Sequence, residues 1–294
     1  MNTETVRYYI ERACERGFFN WMPDKPYLYL LYWVRMGKRL NLKNPRTFNE
    51  KQQWLKLYNR KPEYTTMVDK YEAKRYIASI VGEEYVIPVL GVWDRFSDID
   101  FDTLPDQFVL KTTHDSGCFI LCRDKSKLDL TAAEEKISKS LKVNYYLHAR
   151  EWPYKNVKPR ILAEEYVEDT VNDALTDYKF YCYGGTPQIM YISKDHAEDP
   201  CTDFFDMKFN HLPIRGGEPN AKIPPEKPAQ FEKMEQLAAL LSRDIPFLRV
   251  DFYEVNGRVY VGELTFFDVA GFDLHEPKEW DEQMGAWIKL PCEK

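Results

Sequence analysis

The stretch from Leu248 to Phe267, LRVDFYEVNGRVYVGELTFF, constrains the fold more than any other part of the chain. Its apolar residues alternate with polar ones, which is the period of a β-strand, and Asn256-Gly257 in the middle is typical of a tight hairpin turn. The stretch therefore predicts a β-hairpin that carries one carboxylate on each strand, Asp251 and Glu263.

Two hairpin registers are compatible with this sequence, and they place the acids differently. A two-residue loop at Asn256-Gly257 pairs Asp251 with Gly262 and turns Glu263 to the opposite face, because side chains alternate along a strand. A three-residue loop pairs Asp251 with Val261 instead. The sequence alone leaves this choice open.

In the second register Arg249 lies opposite Glu263, and both share a face with Asp251 and Thr265. Two carboxylates on neighbouring strands can hold a hard divalent cation through oxygen, and an arginine beside them would bind a phosphate. Such an arrangement would suit a site for a nucleotide and a metal. The alternative interpretation is an ordinary surface hairpin with scattered charges.

Composition narrows the class of protein. A chain of 294 residues with an aromatic fraction of 15% can bury a substantial core in one large domain or two smaller ones. Its formal net charge of −6 argues against a nucleic-acid-binding surface, which needs a clustered basic face. We therefore expect a folded protein with no nucleic-acid partner.

The N-terminal residues lack the basic-then-apolar layout of a secretory signal. The apolar run from Tyr27 to Val34 is far shorter than the roughly 20 residues that a membrane span needs. Its aromatic residues fit a packed helix, with contact to a membrane interface as the alternative. The six cysteines have no zinc or redox spacing, and reduced thiols in a cytoplasmic protein are the simplest explanation.

Periodicity predicts an α+β fold in which hairpins dominate the second half. We expect helices over Thr3–Gly17, Phe48–Tyr58, Tyr64–Ile80, Thr131–Tyr146, Phe231–Arg243 and Glu279–Ile288. We expect strands over Tyr85–Trp93, Gln107–Thr112, Phe119–Arg123, Arg160–Val167, Asp177–Tyr183 and Pro187–Ser193, besides the first hairpin. Thr47 and Glu50 predict a capping box. The segment 194–228 is expected to be a loop-rich excursion that covers or shapes a site.

Several charged residues stand at the ends of these elements. Lys111 ends a strand and is followed at once by TTHDSG, so that it offers an ammonium group and a polar turn to phosphate oxygens. Lys70, near the start of a helix, and Lys179, in the second hairpin, are further candidates for phosphate contact. Glu164 and Glu165 close an apolar strand, ILAEEYV, which suggests that this segment leaves the core and presents its backbone to a ligand.

At this point the chain resembles a known family. The segments NPRTFNEKQQWLKLY, EYVIPVLGVWD, DQFVLKTTHDSG, REWPYKNVKPRILAEEY, DYKFYCYGG and PFLRVDFYEVNGRVYVGELTF are similar to ATP-grasp proteins of the teichuronopeptide-biosynthesis (TupA-like) type. The resemblance extends from about residue 44 to 290. It implies two α+β subdomains with ATP between them, preceded by a short helical N-terminal region. The implied division is a helical region 1–62 and an ATP-grasp domain 63–290, with an ATP-binding subdomain near 107–168 and a metal and catalytic subdomain near 169–275.

The resemblance also implies roles for residues around ATP and Mg²⁺. Lys70 and Lys111 match the lysines that bind ATP phosphates. The remaining ATP-binding residues match a mobile loop and the hinge strand that reads adenine through its backbone; they are His114, Asp115, Ser116 and Gly117 in the loop, and Glu164, Glu165, Tyr166 and Val167 in the hinge. Metal ligands would be Asp251, Glu263 and Thr265, the last standing where the family pattern has asparagine. Arg249 matches the arginine that steadies the transferred phosphoryl group and the acyl-phosphate. With Lys179, predicted above from its position in the hairpin, it would form the catalytic pair.

The implied activity is that of an ATP-grasp ligase, which activates a carboxylate as an acyl-phosphate and lets an amine capture it. The acceptor would be a bacterial surface or capsular polysaccharide or its precursor: an amino acid or peptide joined to a uronic acid or amino sugar, free or lipid-linked. We expect a cytoplasmic location, with the inner face of the membrane as a further option. Two alternatives stay open: a glycosyltransferase that uses a nucleotide sugar, and a non-catalytic nucleotide-binding scaffold.

Overall fold

The computed structural model of the chain describes residues 2–168, 175–193 and 200–291. Its α-helices are α1 (Thr3–Glu15), α2 (Asp24–Met36), α3 (Phe48–Tyr58), α4 (Glu63–Val68), α5 (Glu72–Val81), α6 (Leu130–Ser140), α7 (Tyr146–Ala149), α8 (Phe231–Leu241) and α9 (Glu279–Trp287). Its strands are β1 (Val89–Trp93), β2 (Phe108–Thr112), β3 (Phe119–Cys122), β4 (Ile161–Glu165), β5 (Asp177–Tyr183), β6 (Thr186–Ser193), β7 (Thr202–Asp206), β8 (His211–Leu212), β9 (Leu248–Val255) and β10 (Arg258–Thr265).

The strands form two sheets. A four-stranded sheet has the order β1-β4-β2-β3, and a six-stranded sheet has the order β10-β9-β5-β6-β7-β8. Each strand pair in both sheets is antiparallel. Helices cover the sheets without alternating regularly with the strands, so the α+β class predicted from the sequence is correct.

The smaller sheet is covered on one face by α6. Phe108 and Leu110 of β2 pack with Ile137 of α6, and all three side chains are fully buried. Because side chains alternate along a strand, Lys111 of β2 and Glu164 of β4 project from the opposite face. That second face is therefore free of α6 and carries the charged residues.

The larger sheet is covered on one face by α8, which packs against Phe180 and Phe252. Part of the other face is covered by α3, whose Phe48 stacks on Tyr181 with ring centroids 5.8 Å apart and lies 4.9 Å from the ring of Phe247. The N-terminal helices thus share one core with this sheet.

Local sequence signals explain several element ends. The side chain of Thr47 accepts from the backbone of Glu50, and Glu50 accepts from the backbone of Thr47, so the predicted capping box of α3 is confirmed. The prediction of one helix over Tyr64–Ile80 was wrong. Asp69 ends α4, and its carboxylate accepts from the backbone nitrogens of Tyr71 and Glu72 to cap α5, so the chain breaks into two helices.

Other boundaries also differ from the predictions. The helix predicted over Thr131–Tyr146 ends at Ser140 and is followed by the separate short α7. The segment 194–228 is not only a loop, because β7 and β8 extend the larger sheet; its first six residues lie outside the described part of the chain.

The aromatic segment near the N-terminus forms α2. Tyr27 and Tyr32 are completely buried, which confirms the packed-helix interpretation for these two rings. Trp21 and Tyr29 are exposed. Among the described residues, no helix combines the length and the apolar character that crossing a bilayer requires.

Candidate active site

Asp251 of β9 lies directly opposite Glu263 of β10. The turn at Asn256-Gly257 has two residues, with φ angles of 51° and 75°, and Val255 pairs with Arg258. The register then shifts between Val261 and Glu263, so that Gly262 is an extra residue in β10.

Neither register considered from the sequence is therefore correct. The loop is the shorter one, but the bulge at Gly262 restores the shared face that only the longer loop would have given. Arg249 pairs with Thr265 and not with Glu263. The expectation that Arg249, Asp251, Glu263 and Thr265 share one face is nevertheless correct, for a reason that the sequence pattern did not contain.

Lys179 joins the two acids in a row across the sheet. It lies opposite Asp251 on the neighbouring strand β5 and opposite Tyr191 on β6. Its ammonium group is 5.5 Å from the centre of the Tyr191 ring. The row Tyr191, Lys179, Asp251 and Glu263 thus runs across four strands on one face of the sheet.

Arg249, two residues before Asp251 in β9, fixes the position of this row through hydrogen bonds. Its guanidinium donates to both carboxylate oxygens of Asp251, at 2.7 Å each, and to the hydroxyl of Tyr191 at 3.2 Å. It also donates to Asp268, and lies 3.9 Å from Glu263. Burial disfavours the charge on Arg249, but Asp251, Tyr191 and Asp268 outweigh it and raise its pKa.

Asp251 is itself deeply buried, with 3% of its surface exposed. Burial raises its pKa to about 6, although Arg249 and Lys179 both favour the carboxylate. Glu263, in contrast, keeps 36% of its side chain exposed. A cation arriving at this face would therefore meet one constrained and one accessible carboxylate, and it would relieve the burial of charge on Asp251.

Thr265 supplies a further oxygen beside the acids. Its hydroxyl oxygen is buried and makes no hydrogen bond with any described residue, which is unusual for a buried polar group. Carboxylate and hydroxyl oxygens are hard ligands of the type that Mg²⁺ accepts, so the residues present fit this metal. Among the described residues no three His, Cys, Asp or Glu side chains converge as a metal site. Phosphate oxygens would have to complete the coordination.

The smaller sheet presents a second charged group. Glu164 of β4 is ion-paired with Lys111 at 2.6 Å and with Lys74 at 2.9 Å. Burial alone would raise the pKa of Glu164, but the two lysines outweigh it and hold that pKa at about 2. Glu164 is therefore a carboxylate that positions two ammonium groups at the mouth of β2.

Lys74 was not identified from the sequence. It lies on α5 four residues after Lys70, and its ammonium also donates to the backbone oxygen of Ile87 at 2.7 Å. The i, i+4 spacing of two lysines in DKYEAK was the available signal, but this spacing is common on exposed helices.

Lys70 lies at the break between α4 and α5. Its ammonium donates to the backbone oxygen of Asp115 and is 3.8 Å from the carboxylate of the same residue. Arg160 fixes the break through an ion pair with Asp69 at 2.8 Å. Lys70 is thereby placed beside the turn that follows β2, as its predicted contact with phosphates would require.

The turn after β2 divides into an anchored half and an exposed half. His114 is 2% exposed, and its Nε2 lies 3.1 Å from the backbone oxygens of Ser140 and Val143. Asp115 accepts from the hydroxyls of Thr112 and Ser140. The side chains of His114 and Asp115 therefore fasten the loop to the end of α6.

The exposed half consists of Ser116 and Gly117. Gly117 has a φ of +86° and no atom within 4 Å of the position where a Cβ would stand. A backbone with this geometry and open space can approach a phosphate closely. Of the four predicted loop residues, these two are the ones available to a nucleotide.

The hinge strand β4 carries its two glutamates on opposite faces. Glu164 is buried with the lysines, whereas Glu165 is exposed and donates its backbone nitrogen to the backbone oxygen of Pro88 at 3.0 Å. Tyr166 and Val167 continue beyond the sheet and are half-buried. A cavity of about 1070 Å³ is lined by Glu165 and Tyr166, and one of about 620 Å³ by Lys74; neither is lined by Lys111 or Asp251.

Tyr253 stands two residues after Asp251 in β9 and shares its face of the larger sheet. Burial raises the pKa of this tyrosine well above its ordinary value, and the carboxylates that raise it further include Asp251 and Glu263 from the larger sheet and Glu164 from the smaller one. The larger sheet therefore carries two oxygen ligands, and the smaller sheet with α5 carries clustered ammonium groups.

Asp268 was also missed by the sequence analysis. It is 1% exposed and receives hydrogen bonds from Arg249 and from the hydroxyl of Tyr181. It begins a short 3-10 turn, Asp268–Gly271, after β10. The sequence there has no alternation of apolar and polar residues that would have predicted a role for Asp268. Its contact with Arg249 makes it a positioning residue.

Comparison with known proteins identifies the family. Residues 50–289 match the TupA-like ATP-grasp family. No curated protein matches the chain significantly in sequence. Among solved structures, the D-alanine–D-alanine ligase of Bacillus anthracis in complex with ATP is 16% identical, with 68% of this chain and 54% of that chain covered and a TM-score of 0.40.

Two further structures are similar to the same extent. The D-alanine–D-alanine ligase of Helicobacter pylori is 13% identical over 82% of this chain and 69% of that one, with a TM-score of 0.45. The N5-carboxyaminoimidazole ribonucleotide synthetase of Thermus thermophilus is 13% identical over 74% and 51%, with a TM-score of 0.40. The chain spans about half the length of the Bacillus anthracis and Thermus thermophilus proteins. The family match covers most of the chain, and the protein belongs to the TupA-like ATP-grasp family.

Proposed function

We propose that this ATP-grasp protein is an ATP- and Mg²⁺-dependent carboxylate–amine ligase that attaches an amino acid or peptide to a bacterial surface or capsular polysaccharide or its sugar precursor. The observation that carries the proposal is the cross-strand row of Lys179, Asp251 and Glu263 on the larger sheet, together with the lysines held by Glu164 on the smaller one. Oxygen ligands and clustered ammonium groups suit a metal-bound polyphosphate.

In this proposal Asp251, Glu263 and Thr265 would hold Mg²⁺ together with phosphate oxygens. The metal would neutralise charge that spreads over the transferring phosphoryl group. Asp251 would lose its burial penalty in the process, and the unpartnered hydroxyl of Thr265 would gain a partner.

The phosphates would contact the lysines of β2 and of the segment around α5. Lys111 and Lys74 share Glu164, so their charges are pre-positioned and only partly neutralised. Lys70 would turn from Asp115 to a phosphate while Ser116 and Gly117 approach with their backbone nitrogens. Tyr166 and Val167 would read adenine through their backbone, and Glu165 is the acid that remains for the ribose.

The chemistry would be phosphoryl transfer followed by amide formation. A substrate carboxylate oxygen attacks the terminal phosphorus of ATP, ADP leaves, and an acyl-phosphate forms. An amine nitrogen then attacks the acyl carbon, the bond from that carbon to the phosphate oxygen breaks, and inorganic phosphate leaves with the pair of electrons. Arg249 and Lys179 would balance charge on the phosphoryl oxygens, and Asp268 would hold Arg249 in place.

The proposal also covers the substrates and the location of the protein. One substrate would be an amino acid as a small molecule, and the other a uronic acid or an amino sugar, free or within a lipid-linked glycan. The thiols of Cys14, Cys118, Cys122 and Cys182 form no disulfide with any described residue, which goes with a reducing, cytoplasmic location. The division into residues 1–62, 63–290, 107–168 and 169–275 stays a prediction.

The test is an incubation with ATP, Mg²⁺, a panel of uronic acids and a panel of amino acids, in which ADP and phosphate are followed together. Acceptor-dependent release of both supports the ligase, and hydroxylamine added in place of the amine should give an acyl hydroxamate. Release of UDP from a UDP-sugar would instead support a glycosyltransferase. Nucleotide binding without any turnover across both panels would favour the scaffold.

A further inference from the structure

The exposed aromatic side chains are concentrated in the N-terminal helical region. Seven of the large hydrophobic side chains that are exposed in the described part of the chain are aromatic, and six of them lie between residues 8 and 58. These six are Tyr8, Tyr9, Phe18, Trp21, Tyr29 and Tyr58. Phe18 and Trp21 are the most exposed, at 71% and 76%. Exposed aromatic residues concentrated in one region of a chain are typical of a contact surface.

The backbone that carries Phe18 and Trp21 is held rigidly. Arg150 is 1% exposed, and its guanidinium donates to the backbone oxygens of Phe19, Asn20 and Met22 at 3.2–3.3 Å. It also lies 4.0 Å from the centre of the Tyr27 ring. The connection between α1 and α2 is thus fastened to the core, while Phe18 and Trp21 point to solvent.

The same region is basic, whereas the rest of the chain is acidic. Residues 1–46 contain nine lysines and arginines against four acids, and the remaining residues contain 32 against 43. Seven of the nine basic side chains in this segment are exposed, compared with two of its four acids. A positive surface on an otherwise negative protein selects for an anionic partner.

The basic and aromatic side chains are interleaved. The guanidinium of Arg12 lies 5.6 Å from the centre of the Tyr8 ring, and the ammonium of Lys25 lies 5.9 Å from that of Tyr58. Arg16 stands two residues before Phe18 and is exposed. Tryptophan, tyrosine and phenylalanine flanked by lysine and arginine are typical of protein surfaces that bind at the headgroup level of a bilayer.

We propose that the N-terminal surface formed by Tyr8, Phe18, Trp21, Tyr29 and the basic residues around them docks the protein on an anionic lipid bilayer. The rings enter the interface between headgroups and acyl chains, and Arg16 and Lys25 contact lipid phosphates. The binding is peripheral and reversible, since the surface is held by a folded region and needs no spanning helix. The inference is independent of the ligase proposal, because docking requires neither ATP nor a metal.

Cosedimentation with vesicles tests the inference. The wild-type protein should sediment with vesicles of phosphatidylcholine mixed with phosphatidylglycerol, stay in solution with phosphatidylcholine alone, and be released by high salt. The double variant Phe18→Ala with Trp21→Ala should lower the partition coefficient by about tenfold or more, since two large side chains no longer leave water. Ile223→Ala, which shortens an 84% exposed side chain outside the region, should leave it unchanged.

A charge variant separates electrostatic contact with anionic lipid from nonspecific adsorption to vesicles. Arg16→Glu should lower binding to the anionic vesicles by about fivefold or more, whereas Lys127→Glu, at an 81% exposed lysine outside the region, should change it little. Unchanged circular dichroism spectra and melting temperatures would confirm that the variants fold.

Two results would overturn the inference. One is wild-type protein that stays in solution with the anionic vesicles. The other is a dimer in light scattering that the double aromatic variant dissociates, without vesicle binding, since a second copy of the chain would then cover the surface.

Discussion

Glu263 lies directly opposite Asp251 because Gly262 is an additional residue in β10. Without the bulge, the two-residue turn would place Glu263 on the face that packs against α8, away from Asp251. One glycine therefore decides whether the hairpin presents a pair of acids or a single one. The acids of this pair and the lysines held by Glu164 can be tested one at a time.

Gly262→Val tests the bulge. A Cβ at this position would lie 2.8 Å from a ring carbon of Tyr253, so the bulge or the ring must move. We expect a loss of about 1–3 kcal/mol in the free energy of unfolding and a loss of Mg²⁺-dependent nucleotide binding. Urea unfolding and isothermal titration calorimetry measure the two effects. Gly257→Ala strains the same hairpin, at a φ of +75°, and should lower stability while metal binding persists.

Glu263→Gln should abolish Mg²⁺-dependent ATP turnover and leave folding intact, because the partly exposed side chain contributes a charge to the site and little to the core. A loss of about 10²–10³-fold in rate is expected for one ligand of the cation. Glu254→Gln makes the same change on the α8 side of the hairpin and should retain activity. Full activity in the Glu263 variant would remove this residue from the site.

Thr265→Val should have opposite effects on stability and on metal binding. The buried hydroxyl has no hydrogen-bond partner among the described residues, so replacing it with a methyl group of the same shape should leave stability unchanged or raise it by about 1 kcal/mol. Affinity for Mg²⁺ with nucleotide should fall severalfold. A variant that loses stability would indicate that the hydroxyl is a structural group and not a metal ligand.

Lys111→Met should weaken ATP binding by about tenfold or more, since it removes an ammonium group from the phosphates and keeps the apolar stem. Lys127→Met, at an exposed lysine, serves as the control. The quantity to measure is the dissociation constant for ATP with and without Mg²⁺. An unchanged constant would contradict the placement of the phosphates between the sheets.

Glu164→Gln should lower the free energy of unfolding at neutral pH by about 3 kcal/mol, because Lys111 and Lys74 would be left close together with no acid between them. The pKa of Glu164 is held at about 2, below the value of roughly 4.3 for an unfolded glutamate. The stabilisation is therefore complete above pH ~4.3 and is lost as the pH falls toward 2.

The measurement that checks this prediction is urea unfolding of both proteins at a series of pH values. The difference in unfolding free energy between the wild-type protein and the variant should shrink between pH ~4.3 and 2. A difference that stays constant over this range would show that the ion pairs do not stabilise the fold.

Several parts of the site could be predicted because their signals are local in the sequence. The alternation and the Asn256-Gly257 turn specify a hairpin, and the Thr47–Glu50 spacing specifies the start of α3. The position of Lys111 at the end of an apolar strand predicts that its ammonium group lies at the edge of the core. Each of these signals acts through the backbone geometry of a few neighbouring residues, so no distant partner is needed to interpret it.

Other parts could not be predicted because distant residues decide them. Asp69 could have continued a helix, but Arg160, 91 positions later, pairs with it and fixes the break beside Lys70. Glu164 could have faced a ribose, but Lys74 and Lys111 reach it from α5 and β2.

The sequence by itself determined that this protein is an α+β chain with a hairpin bearing Asp251 and Glu263 and a lysine at the mouth of β2. Only the tertiary structure decided that the two acids are opposite each other, that His114 and Asp115 anchor their loop, and that Phe18 and Trp21 stay exposed. The physical reason is that periodicity fixes which face a side chain takes within a regular element. Bulges, buried ion pairs and uncovered surfaces depend instead on which elements pack together.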